Sequence, residues 1–184
     1  HHFHWRKVFG DVKFPQIIGL PHHYVHAFQT CFQSNFNQAI ALTIDGSGDQ
    51  HTTVVWKYTN KKLSILKEFR MPDSLGWFYA AITEYLGFHA YNCEYKVMGL
   101  AAYGKFNQEL KKKIDNIITK DQNGFYKIDP TYIHYGQHSY SDRFTDKLVE
   151  LFDSKPRLET SPISSFHEDL AFAAQKKLEE VTTN

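Results

Sequence analysis

The stretch that most constrains this chain is residues 21–49, where a helical signal and a strand signal meet through chemistry-bearing side chains. It opens with Pro21-His22-His23-Tyr24-Val25-His26-Ala27. It closes with Ala39-Ile40-Ala41-Leu42-Thr43-Ile44-Asp45-Gly46-Ser47-Gly48-Asp49. Residues four apart on a helix share a face, so His22 and His26 can turn both imidazoles toward one metal ion. The second half reads as an apolar strand running into D-G-S-G-D. A carboxylate at a strand end beside a glycine turn can hold a cation, or a phosphate against open backbone N–H groups. The remaining residues have to bring these two pieces together.

The rest of the chain supplies strands first and helices afterwards. Ile17-Ile18-Gly19-Leu20 is a short apolar run that fits a buried strand. The His-bearing helix follows over roughly 22–33, with Val25, Phe28 and Phe32 at i, i+3 and i+7 on one side, and 34–37 make a turn. Strands are predicted at 39–44, 52–58 and 63–69, with 59–62 as the hairpin turn between the last two. Three strands with short links form an antiparallel meander.

Asp73 or Ser74 caps a helix reaching about residue 86, and Gly87 takes the stop position. Residues 94–104 read as an amphipathic helix closed by Gly104, whose small residues Gly99, Ala101 and Ala102 also permit close packing or ligand approach. Asn107 caps the next helix, on which Leu110, Ile114, Ile117 and Ile118 share a face and Lys111-Lys112-Lys113 read as a solvated face. After the Asn123-Gly124 turn come a short strand at 125–128 and a helix marked by Phe144, Leu148, Leu151 and Phe152. A linker at 154–164 follows, then a last helix opened by the capping box Ser165-Phe166-His167-Glu168. The sum is a mixed α/β chain.

Composition narrows the function classes. The formal net charge of +1 argues against nucleic acid or an anionic membrane as partner. No apolar run reaches the length of a transmembrane helix, and His1-His2-Phe3-His4-Trp5-Arg6-Lys7 lacks the apolar core of a signal peptide. Cys31 and Cys93 lie far apart, outside any C-x-x-C, and read as reduced thiols of a cytoplasmic protein. Aromatic residues at 16% support a sizeable core and a ligand groove. The chain lacks an initiator Met and stops inside or just after a helix, which suggests a piece of a longer protein.

Each motif has a plain alternative. With 11 His in 184 residues, about 0.6 H-x-x-x-H pairs arise by chance. His134 and His138 supply a decoy of that spacing, in turn-like sequence around Gly136. The strand before His22 and the acidic glycine loop after His26 favour the first pair. Two imidazoles with a carboxylate suit iron, manganese or zinc. The D-G-S-G-D loop reads equally as a hairpin turn or as a phosphate lip. His51 reads as a strand residue, not a third imidazole ligand. No G-x-S-x-G, Walker A, G-x-G-x-x-G or paired C-x-x-C is present, and neither cysteine has a base beside it.

Three segments resemble, in order and spacing, the NodU/CmcH-type O-carbamoyltransferase family: Pro21-His22-His23-x-x-His26-Ala27, Ile44-Asp45-Gly46-x-Gly48-Asp49, and Glu94-Tyr95-Lys96-Val97-Met98-Gly99-Leu100-Ala101-x-Tyr103-Gly104. Asp73-Ser74-Leu75-Gly76, Tyr85-Leu86-Gly87-Phe88 and Asp169-Leu170-Ala171 with Gln175, Leu178 and Glu179 extend the likeness over most of 17–180. The run from Lys96 to Ala101 is its most specific part.

The resemblance implies an actin/Hsp70/sugar-kinase-like (ribonuclease H-like) fold. Residues 1–37 would end a first subdomain carrying the H-x-x-x-H helix, and 38–184 would begin a second. It implies ATP and carbamoyl phosphate as substrates, with the carbamoyl group passing through carbamoyl-adenylate to a hydroxyl of a sugar-like or antibiotic acceptor. A divalent metal, iron first and manganese or zinc next, would sit on His22, His26 and Asp45. Gly46, Ser47, Gly48 and Asp49 would face the nucleotide phosphates, and Glu94 and Lys96 would share the substrate cleft. A homodimer is compatible with this reading. The family's opening strands, a further Asp ligand, its later phosphate loop and a second carbamoyl-handling domain have no counterpart in these residues. The rival readings are a phosphoryl-transfer ATPase or sugar kinase of the same fold, and a binding domain without catalysis.

Overall fold

A computed structural model of the chain describes residues 2–10, 12–135 and 142–183. The architecture is mixed α/β. A three-stranded antiparallel sheet is flanked by helices, and a two-stranded hairpin stands beside it. The helices are α1 (His2–Phe9), α2 (His22–Gln33), α3 (Leu75–Tyr85), α4 (Glu94–Ala101), α5 (Gln108–Ile117), α6 (Asp146–Phe152) and α7 (Ser165–Thr182). The strands are β1 (Gln38–Gly48), β2 (His51–Thr59), β3 (Lys62–Arg70), β4 (Ile118–Lys120) and β5 (Tyr126–Ile128). None of the described helices is long and apolar enough to cross a membrane.

The meander forms in the order β1-β2-β3. Asn60 and Lys61, at φ 51° and 61°, make the two-residue turn whose twist matches right-handed strands. Between β1 and β2 the tight turn is Asp49-Gln50, with Asp49 at φ 57°. The glycine segment before it is not the turn that its composition suggests. Ile44 pairs with Thr53, and the ladder resumes only where Gly48 faces His51, so Asp45, Gly46 and Ser47 form a bulge within β1. A bulge frees backbone groups from the ladder and re-aims a side chain, here that of Asp45.

One predicted face and one predicted strand are corrected. Along α2 the buried residues are His23, Ala27 and Cys31, while Val25 and Phe32 are exposed. The inward face of β1 is built from Ala39, Ala41 and Thr43, and such small residues let the helix settle close to the sheet. The larger Ile40, Leu42 and Ile44 point away from α2 and are exposed. Residues 17–20 form no strand, and Ile18 is 73% exposed, because no strand among the described residues pairs with this run.

The predicted helix ends agree closely with the structure. Ser74 Oγ accepts from the Trp77 N–H, and Asn107 Oδ1 accepts from the N–H groups of Glu109 and Leu110. Gly87, at φ +73°, stops α3. Lys111 and Lys113 pair along the helix with Asp115 and Glu109, as a solvated face does. The cap of α7 lies one residue earlier than expected: Ser164 is the N-cap, and its N–H donates to His167 Nδ1 at 2.9 Å. The predicted strand at 125–128 is β5, and its partner β4 was unforeseen.

Helix α3 is buried on nearly every side and divides the molecule. Phe78, Ile82 and Tyr85 join Ile114, Leu148, Phe152 and Leu170 in one core among the helices. The segment read as a linker is pinned by Arg157. Its guanidinium donates to the carbonyls of Leu86 (2.6 Å), Ser161 (2.5 Å), Glu159 (3.0 Å) and Gly87 (3.2 Å).

Candidate functional site

Pro21, at φ −60° and ψ 136°, ends the extended chain, and α2 begins at His22. The first N–H groups of a helix have no partner inside it. The Asp49 carboxylate, reaching across from the β1–β2 turn, accepts the His22 N–H at 2.8 Å. An acidic group also suits the positive end of the helix. This contact docks the start of α2 against the bulge that carries Asp45.

Four residues further on, His26 stacks edge-on to His22, with ring centroids 4.6 Å apart. Asp45 completes the group. Its Oδ2 lies 2.7 Å from His22 Nε2, and its Oδ1 accepts the Gly46 N–H at 2.7 Å. One ligand atom from each of His22, His26 and Asp45 lies within 4.8 Å of the other two. It is the one such group of three among the described residues. The His22–Asp45 contact is a hydrogen bond. Once the ring gives up that proton, the same two atoms are lone-pair donors, and with His26 they form an N,N,O set that suits iron, manganese or zinc. The group is partly open to solvent, as entry of an ion requires.

Glycines keep this corner tight. A Cβ on Gly48 would lie 2.2 Å from His22 Cδ2 and 3.0 Å from His23 Cδ2. A Cβ on Gly76 would lie 2.5 Å from the Gly46 nitrogen and 2.8 Å from the Asp45 carbonyl oxygen. Gly76 therefore lets the first turn of α3 press on the peptide that follows Asp45. Ser74 adds a tie, its hydroxyl donating to the Gly46 carbonyl at 2.7 Å.

Beside the triad lies a pocket of about 520 Å³, with Asp45 in its wall. Gly46, Ser47, Trp77, Tyr79, Tyr91 and Glu94 also line it. Glu94, in the first turn of α4, accepts the Tyr91 N–H at 2.5 Å. The Tyr79 hydroxyl donates to Gln175 Oε1 at 2.8 Å. Burial, then the charges of Glu94 and Glu179, push its pKa up to about 12, so it stays a donor at neutral pH. Trp77 Nε1 is buried with no hydrogen-bond partner among the described residues, and its ring lies against Gly46.

The predicted site residues thus divide. His22, His26 and Asp45 come together, and Gly46, Ser47 and Glu94 line the adjoining pocket. Gly48 instead packs under the imidazoles, and the Asp49 carboxylate is spent on the helix start. Lys96 does not line the pocket. Two positions beyond Glu94 on the helix, it points elsewhere, with Nζ 5.7 Å from the Phe88 ring centroid. His51 bonds Glu68 from within β2, outside the triad. His134 Nδ1 donates to the Asp142 carbonyl, and His138 lies outside the described residues. Cys31 and Cys93 form no disulfide, and burial pushes the Cys31 thiol up.

Sequence reasoning missed Trp77, Tyr79, Tyr91 and the buried His23. The signal available was the Asp73-Ser74-Leu75-Gly76 run, which places the first turn of α3 against the bulge.

Comparison with known proteins adds an independent line. The protein sll1178 of Synechocystis is 33% identical over 175 residues, covering 94% of this chain. The nodulation protein NolNO of Sinorhizobium fredii is 32% identical over 176 residues, again covering 94%. The nodulation protein NolO of Bradyrhizobium diazoefficiens is 29% identical over 162 residues, covering 87%. The chain spans 28%, 23% and 26% of the lengths of these three relatives, about a quarter of each. The model of the carbamoyltransferase N-terminus matches residues 7–184. By that match over nearly its whole length, this chain belongs to the carbamoyltransferase N-terminus family, the NodU/CmcH-type group that its His, Asp-Gly and Lys-Val-Met-Gly-Leu-Ala motifs resemble.

Proposed function

We propose that the chain forms part of an ATP-dependent carbamoyltransferase. In this reading the carbamoyl group of carbamoyl phosphate passes through carbamoyl-adenylate to a hydroxyl of a sugar-like acceptor. The observation that carries it is the meeting of His22, His26 and Asp45 at the rim of a pocket that shares Asp45. The antiparallel meander with an acidic bulge in its first strand supports the actin/Hsp70-like (ribonuclease H-like) fold, with a subdomain boundary near residue 38. A homodimer and a cytoplasmic setting complete the proposal.

His22 and His26 would hold a divalent cation through neutral imidazole nitrogens, and Asp45 through a carboxylate oxygen. Such an ion, when bound, polarises a carbonyl or lowers the pKa of a hydroxyl. The chain's own groups do the rest. Gly46 and Ser47 line the pocket where nucleotide phosphates or the acceptor would lie, a narrower lip than the four residues expected. Glu94 has one carboxylate oxygen engaged by the Tyr91 N–H. The other can accept a hydrogen bond from the acceptor hydroxyl, which keeps that oxygen oriented for attack on the carbamoyl carbon. Trp77 and Tyr91, edge to face with ring centroids 6.0 Å apart, give the pocket an aromatic wall.

The test is His22→Ala and His26→Ala in the full-length protein, with metal content by elemental analysis and carbamoyl transfer from carbamoyl phosphate in the presence of ATP. Both variants should lose bound metal and transfer. Metal content and transfer at wild-type level in both would overturn the reading. ATP hydrolysis with phosphate delivered to a sugar would move the assignment to the kinase class.

A further inference from the structure

The imidazole next to His22 has no place in the triad, yet it is the most buried titratable group of α2. His23 is 2% exposed. Its Nε2 lies 3.1 Å from the His51 carbonyl oxygen, and its Nδ1 lies 2.9 Å from Thr43 Oγ1. A carbonyl only accepts, so the proton sits on Nε2 and Nδ1 is left as an acceptor. Thr43 meets that need. Its oxygen accepts the Trp56 indole N–H at 3.1 Å, and of the two acceptors within reach of its single proton, His23 Nδ1 at 2.9 Å lies closer than the Val54 carbonyl at 3.3 Å. Every polar atom in the chain Trp56–Thr43–His23–His51 then has a partner.

What the network joins is informative. Thr43 stands two residues before Asp45 on β1, and the His51 carbonyl opens β2 directly after the Asp49-Gln50 turn. His23 is therefore bonded to both strands on either side of the bulge that aims Asp45. Its own backbone neighbour is His22. The Asp49 contact to the His22 N–H holds the helix end, and the rest of the contact between α2 and the sheet is largely apolar. The apolar contact there consists of Ala27, Val54 and Trp56, with Tyr24, Ala41 and Leu63 at its margin. Contacts between small apolar side chains resist separation but tolerate sliding, whereas a pair of directional hydrogen bonds does not.

We propose that His23 is a positioning residue: it locks the first turn of α2 to β1 and β2 in the register that brings His22 and His26 onto Asp45. The proposal rests on reading those three residues as one metal face. It assigns the doubled histidine of His22-His23 two jobs, one ring turned outward to the ion and the other inward to hold the helix.

The experiment uses the full-length protein and Zn²⁺ alone as probe, followed by titration calorimetry, with His22→Ala as reference. His23→Leu keeps the volume and removes both hydrogen bonds. It should lower Zn²⁺ affinity about tenfold or more, the scale of losing a supporting contact around a metal ligand. His23→Gln, which can still donate to the His51 carbonyl, should recover most of that loss. In the metal-free protein, amide exchange should quicken in the first turn of α2 in His23→Leu and stay unchanged in β2 and β3. Should His23→Leu fail to fold, Thr43→Val removes the Nδ1 partner, together with the acceptor of the Trp56 indole, and should lower affinity several-fold. Wild-type affinity in folded His23→Leu, or in Thr43→Val when His23→Leu does not fold, overturns the positioning role and leaves the metal face standing. Wild-type affinity in His22→Ala overturns the metal face, and the positioning role with it.

Discussion

Behind α3, Phe78, Ile82, Tyr85, Ile114, Phe152 and Leu170 are each at most 2% exposed and touch in one continuous core. Where α2 meets the sheet, the fully buried apolar cluster is Ala27, Val54 and Trp56. Polar ties supplement it: His23 to Thr43 and His51, Asp49 to the start of α2, and Ser74 to Gly46. Burying one large apolar side chain contributes about 1.5–3 kcal/mol, against about 0.5–1.5 kcal/mol for a typical hydrogen bond. The helical half therefore carries most of the stability. The corner carries the geometry, and directional bonds suit that task because they fix distances that packing alone leaves loose. Gly76 sits at the seam, where α3 presses on the peptide after Asp45.

Substitutions can break or sharpen this contrast. The largest effect is expected from Phe152→Ala, which empties a site packed against Tyr85 at ring centroids 5.0 Å apart. It should cost about 3–5 kcal/mol in urea unfolding while leaving the metal affinity of the folded protein unchanged. A fall in affinity of the folded protein would mean that the two halves are not separable.

Gly76→Ala comes next and should affect both halves. Its new methyl meets backbone, not a flexible side chain, so α3 and β1 must part. The expected cost is about 1–3 kcal/mol, with a parallel loss of Zn²⁺ affinity as Asp45 moves. Unchanged affinity would show that the bulge is held without α3.

The smallest effect is a pH dependence at the start of α7. Burial, then the Arg157 charge, hold His167 below its ordinary value of 6.5. The folded ring stays neutral where the unfolded ring takes a proton, so the unfolded state binds more protons in that window. Stability should then rise with pH from the lowered folded value up to about 6.5 and be flat above it. Protonation also removes the Nδ1 acceptor for the Ser164 N–H. His167→Gln, able to make the same cap, should flatten the slope, an effect of about 0.5 kcal/mol or less at so open a position. Thermal midpoints between pH 5 and 7.5 read it directly.

Local signals reached far into this fold. The meander, the caps at Ser74 and Asn107, and the stop at Gly87 are short-range consequences of alternation, side-chain oxygens and a left-handed glycine. The shared face of His22 and His26 is likewise a consequence of helical spacing, which is why the histidine pair was legible before any fold was known. The nearness of Asp45 was legible only through family resemblance.

Other features depended on partners far away in the chain. The apolar spacing of Val25, Phe28 and Phe32 suggested the inner face of α2, yet the structure buries His23, Ala27 and Cys31. A periodic pattern identifies a face but not what lies opposite, and β1 offers Ala39, Ala41 and Thr43 there. Lys96 shares a motif with Glu94 but not a direction, since two steps along a helix turn a side chain to the opposite side. The pocket walls at Trp77, Tyr79 and Tyr91 come from α3 and the segment before α4, and only tertiary packing sets them against the bulge. Helix, strand and the histidine pair were thus determined by the sequence alone. The meeting of that pair with Asp45, and the inward turn of His23, were decided by which elements the fold presses together.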